Sequence, residues 1–135
     1  MRKTLAVCLF VIFCGVSGIG QTQPQWTVIY SLVVFGQTAQ IQHTTAFIPT
    51  EQGLYRLSFC ASGNPQSTQG FEVDWVTADG LPAKVGAGIA VGGQGTYLFT
   101  PKVGTPVSYS VYGSQYGFKG VYNVAFTVEQ LQASN

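Results

Sequence analysis

Apolar and polar residues alternate with a period of two through much of this chain, the pattern of strands with one face in a core and one in water. In residues 121–131 (VYNVAFTVEQL), Tyr122, Val124, Phe126 and Val128 share one face, while Val121, Asn123, Ala125, Thr127 and Glu129 share the other. Residues 71–76 (FEVDWV) point Phe71, Val73 and Trp75 inward and Glu72 and Asp74 outward, and residues 107–112 (VSYSVY) alternate again. Gly53 opens the run GLYRLSFC, in which Tyr55, Leu57 and Phe59 form the core side and Leu54, Arg56, Ser58 and Cys60 the opposite side. Residues 26–35 (WTVIYSLVVF) break the rule. They form a continuous apolar, β-branched run, which predicts a strand buried in part on both faces. Residues 41–48 (IQHTTAFI) form a more polar strand, closed by Pro49, which cannot donate to a ladder.

Turn signals punctuate these runs at short intervals. Ala78-Asp79-Gly80 is a turn whose Asp-Gly step favours positive φ, and residues 81–85 return from it, with Pro82 marking an edge or imperfect strand. Loops are expected at residues 62–70 (SGNPQSTQG), 101–106 (PKVGTP) and 113–120 (GSQYGFKG). The glycine-rich stretch 86–95 (GAGIAVGGQG) predicts tight turns or a close approach of sheets, followed by a short strand at 96–100. No segment carries a helical period, and no repeat recurs at a fixed spacing. The expected fold is all-β: an antiparallel two-sheet sandwich of about eight to ten strands, in one domain over residues 21–135.

The first twenty residues stand apart. Arg2 and Lys3 precede an uncharged apolar run, and small residues follow from Gly15 to Gly20, which is the make-up of a secretory signal peptide. The run is shorter than the roughly 20 apolar residues that a membrane-spanning helix requires. Cleavage is expected after Gly20, with Gly18 as the alternative; Cys14 raises lipid attachment as a rival, although bulky Phe13 precedes it. These residues predict export to the extracellular space or a periplasm, with no transmembrane segment elsewhere.

Export changes the charge balance. Without residues 1–20 the chain carries four basic and five acidic side chains, a net charge of −1, in place of the +1 of the whole sequence. A nearly neutral surface offers no long-range attraction to phosphate, so nucleic acid is not an expected partner. Charged residues make up only 8% of the chain, and so sparse a charge opposes self-association weakly. Cys60 is the one cysteine outside the leader, which rules out a disulfide within the exported chain. It reads as a small buried residue on a strand, or more sharply as an intermolecular disulfide or free thiol.

Chemistry is sparse. His43 is the only histidine, and no Gly-x-Ser-x-Gly elbow accompanies it, so it reads as a surface or hydrogen-bonded strand residue. One histidine and one cysteine make no zinc site. Glu72 and Asp74, two places apart on one strand, do not build a glycosidase cleft and read as a solvated face. The glycine-rich stretch lacks the Lys-Ser/Thr ending and following helix of a phosphate loop. No enzyme, cofactor or metal is expected. The binding candidates are Tyr116 and Phe118, with Lys119 beside them, in a loop flanked by Tyr112 and Tyr122. Aromatic rings on loops supply a large contact area at small entropic cost.

The segment TTAFIPTEQGLYRLSF, through Phe47, Pro49, Gly53, Leu54, Tyr55 and Leu57, resembles the trimeric jelly rolls of the complement globular-head and tumour-necrosis-factor type. It is also similar to β-sandwich modules of bacterial and phage surface proteins. The resemblance implies a jelly-roll-like sandwich, homotrimeric assembly, and a binding or structural role without catalysis. Two features of the complement-type proteins are missing: no collagen-like Gly-x-y stalk precedes the domain, and their calcium-site residues have no counterparts here. The expected function is a secreted, self-assembling structural or binding module that contacts a glycan or protein ligand by a loop end. The alternative is a monomeric carbohydrate-binding domain using Tyr116 and Phe118.

Overall fold

The computed structural model describes residues 24–64, 69–89, 92–113 and 120–132. Among them run eight strands: β1 (Trp26–Gln37), β2 (Ile41–Phe47), β3 (Tyr55–Gly63), β4 (Gly70–Val76), β5 (Pro82–Gly88), β6 (Gly93–Phe99), β7 (Val107–Tyr112) and β8 (Tyr122–Leu131). They form two four-stranded sheets, in the orders β1-β8-β3-β6 and β2-β7-β4-β5. Every ladder is antiparallel. Successive strands switch sheets at each connection except the β4–β5 hairpin, which produces the double-sheet order of a jelly roll.

The period-two pattern sets the faces. Tyr55, Leu57 and Phe59 of β3 and Tyr122, Val124, Phe126 and Val128 of β8 face Phe71 and Val73 of β4 and Val107, Tyr109 and Val111 of β7 across the interior. Aromatic rings bridge the two layers. Phe126 lies 5.1 Å from Tyr109, 5.5 Å from Phe71 and 5.3 Å from Tyr30, centroid to centroid. A second group, Phe47, Tyr55, Phe99 and Trp75, closes the other end, with the Trp75 ring 4.8 Å from Phe99.

Three expectations are adjusted. The loop expected at 62–70 is shorter, because β3 continues to Gly63, which pairs with Tyr122. The glycine-rich stretch is partly strand: Gly86 and Gly88 end β5, and Gly93 and Gly95 begin β6. A Cβ on Gly86 would collide with the Phe71 carbonyl oxygen, so glycine there does permit a close approach. The third adjustment concerns β1. Tyr30, Leu32 and Val34 pack against the core, but Val28, Val33 and Phe35 are exposed, so the strand is covered on one face only. Its place at the edge of the first sheet explains this: β8 borders one side, and no element among the described residues lies over its outer surface.

Phenols buried in this interior resist ionisation. Burial and a hydrogen bond with Tyr109 push Tyr30 up from the ordinary value to about 12, and burial also raises Tyr55 and Tyr122. In the unfolded chain a tyrosine ionises near ~10. The stability held by the neutral Tyr30 phenol is therefore complete below pH ~10 and is lost as pH rises from there toward about 12, because only the unfolded state releases the proton in that window. Denaturation midpoints measured from pH 9 to 12 should fall more steeply for the natural chain than for Tyr30→Phe. Equal slopes would show that Tyr30 does not couple to folding.

Candidate functional site

The sandwich has two ends and two outer faces. One end gathers the connections β1–β2, β3–β4, β5–β6 and β7–β8. Backbone and side-chain bonds stitch their roots together. Asn64 N–H donates to Val121 O at 3.1 Å, Ile89 N–H to Gln69 O at 3.0 Å, and the Gln69 side chain to Gly120 O at 3.3 Å. The Tyr122 hydroxyl, on a fully buried ring, donates to Ala39 O at 2.8 Å. The binding candidates Tyr116, Phe118 and Lys119 lie outside the described residues, on the connection rooted here. Of the two flanking tyrosines, Tyr122 folds inward, whereas Tyr112 stays exposed with its ring over Gly70.

The outer face of the second sheet holds most of the strand charge. His43 on β2 reaches across β7 to Asp74 on β4, with Nε2 2.9 Å from Oδ2, an ion pair whenever the imidazole is protonated. Ser108 of β7 pairs with both Asp74 and Thr45 and is only 2% exposed. Here the carboxylate occupies the histidine nitrogen, and His43 is a hydrogen-bonded strand residue, as its polar setting suggests. Beside it, Lys84 Nζ lies 3.1 Å from Glu72 Oε2, and that carboxylate raises the Lys84 ammonium above its usual value. Glu72 is thus paired with the Lys84 ammonium and Asp74 with the His43 ring. Among the described residues no three His, Cys, Asp or Glu side chains gather as metal ligands.

The outer face of the first sheet differs in kind. The register lays its side chains in rows: Val33, Ala125, Cys60 and Gln94; then Ser31, Thr127, Ser58 and Thr96; then Val28, Glu129, Arg56 and Leu98. Arg56 and Glu129 are the only ionisable pair in these rows. Arg56 Nε donates to Glu129 Oε2 at 2.7 Å, and its guanidinium carbon lies 4.5 Å from the Trp26 ring centroid. The rest is apolar or small and neutral. Val33 is 56% exposed, Leu98 60% and Phe35 71%. Cys60 is half-buried on this face rather than in the core. No motif in the sequence marks this surface, which is assembled from four strands distant along the chain. A compositional signal is present: from Thr4 to Thr50 the chain has no Asp, Glu, Lys or Arg.

Fold and surfaces together define an all-β jelly-roll sandwich with one polar outer face and one nearly uncharged outer face. The chain matches no protein-family model and no curated protein. Among solved structures it is similar to the PRD1 vertex protein P5, with a TM-score of 0.53 and 14% identity over 80% of this chain and 99% of that one. At that identity the likeness is one of fold. Among the described residues no helix is long and apolar enough to cross a membrane.

Proposed function

We propose that this chain is a non-catalytic structural module of an exported or particle-exposed surface, that it assembles with copies of itself as a trimer, and that it meets a glycan or protein ligand at its loop end. The observation that carries the reading is the jelly-roll order of the two sheets combined with an exposed, partly apolar outer face whose strands carry no charge beyond the Arg56–Glu129 pair. An exposed patch of that kind is characteristic of proteins that bury it against another surface. The likeness to a protein named as a vertex component supports a structural role. The apolar leader at residues 1–20 supports export. Tyr116, Phe118 and Lys119 remain the proposed contact residues, carried on the connection whose roots Gln69 and Asn64 hold in place.

Size-exclusion chromatography with light scattering on the exported chain tests assembly. The expected mass is about three times that of one chain at micromolar concentration, where an interface of standard size is occupied. A monomer there removes the reading.

A further inference from the structure

We infer that the outer face of β1-β8-β3-β6, together with the free edge of β1, is the surface buried between copies of this chain; the inference rests on the assembly reading above. The first argument is the mismatch in β1. Its residues have the continuous apolar pattern of a strand covered on both sides, yet the fold covers one side and leaves Val28, Val33 and Phe35 in water. A second cover satisfies the pattern.

The second argument is charge. The two outer faces of the sandwich differ: His43, Glu72, Asp74 and Lys84 sit on one, and only Arg56 and Glu129 on the other. That pair is internally neutral and already roofed in part by Trp26. Covering it strands no lone charge, the circumstance that makes burial of an ion most costly. The β1 edge that meets this face is uncharged from Trp26 to Phe35, so neither surface carries a net charge with which to repel the other.

The third argument is size. Four strands about 4.8 Å apart, each roughly 25–35 Å long, give the face on the order of 600 Å² in projection. One side of a stable interface takes about 800 Å² of accessible surface, and the face, whose corrugation raises its accessible area above its projection, is of that order.

The edge explains why the occupant is another copy. From Trp26 to Phe35, β1 has no proline and no charged residue, the usual guards of an unpaired strand, and only the irregularities at Val28/Tyr30 and Val34/Gln37 interrupt its outline. A cyclic trimer joins two different patches at each contact. This chain offers two that adjoin: a face of mostly uncharged rows on which Val33 and Phe35 lie exposed, and the unpaired backbone edge of β1.

The test compares substitutions on the two faces. Val33→Lys and Leu98→Lys each place a charge on the proposed interface at exposed positions, so the fold itself bears little of the change. Phe35→Ser is a milder third. Thr45→Lys and Ser110→Lys do the same on the opposite face. Circular dichroism confirms that each variant keeps its strands, and light scattering reads the assembly. The expected result is monomers from the first group and natural-size assemblies from the second. Cys60, within the proposed interface, gives an independent readout: its alkylation by a maleimide should be at least ~10-fold faster in the Val33→Lys monomer than in the natural assembly. If the natural chain assembles but Val33→Lys, Leu98→Lys and Phe35→Ser all remain assembled, the location is wrong and the assembly reading stands. If the natural chain is a monomer, both fall.

Discussion

Phe126→Ala should lower the folding free energy by about 3–5 kcal/mol, the range for truncating a large aromatic side chain in a packed core. The ring has no exposed surface. It is the point where the sheets meet. It projects from β8 of the first sheet and packs against Tyr109 and Phe71 of the second, and it also touches Tyr30 of the edge strand. Removing it leaves a cavity bounded by rings from both layers, and stiff strands on either side limit collapse into that space. A domain of this size has a total stability of about 5–15 kcal/mol, so the variant should retain little margin. Urea titration with tryptophan fluorescence reads the change. Phe126→Leu, which keeps most of the volume, should lose markedly less. A loss below about 1 kcal/mol for the alanine variant would mean that Phe126 does not join the two sheets.

The second large effect is expected at a residue with no side chain. Gly86→Ala places a Cβ in hard contact with the Phe71 carbonyl oxygen and 3.2 Å from Glu72 Cα, both of them backbone atoms of β4. Backbone held in a ladder cannot swing aside as a side-chain tip can, so β5 must shift away from β4. The expected cost is about 2–3 kcal/mol, toward the upper end of the range for overpacking. Gly53→Ala is the matching control: its added carbon meets the Gln130 and Tyr55 side chains no closer than 3.4 Å. The control should fall within roughly 0.5 kcal/mol of the natural chain, as substitutions free of packing conflict do. Equal stability of the two variants in the same titration would contradict the close approach.

Much of the fold could be read from alternation alone. Tyr55, Leu57 and Phe59, and likewise Tyr122, Val124, Phe126 and Val128, point inward as their spacing requires, and Pro82 does open an edge strand. The reason is physical: in a strand with one wet face, periodicity and burial carry the same information. Where they part, reading failed. In β1 apolar residues occupy both faces, and local sequence does not distinguish a cover supplied by the same chain from one supplied by another molecule. The glycines of residues 86–95 are equally compatible with tight turns and with a close approach of strands, and only the register shows that Gly86 serves the second. The proposed site was harder still. His43 and Asp74 are 31 residues apart and meet only because β2 and β4 flank β7. The partition of charge between the two faces likewise appears only once strand order and register are known.

Gln132 N–H donates to Gln25 O at 2.9 Å, so the outermost described residues of the first and last strands sit side by side. Because β1 leaves that end and β8 returns to it, they lie at the pole opposite the four stitched connections. The domain is therefore a directional peg: a tether spliced in before Gln25 or after Gln132 pulls on one pole, and the roots of the four connections lie at the other. Joining Gln132 to Gln25 by a short linker and reopening the chain at the far pole would give a permuted molecule with both sheets undisturbed.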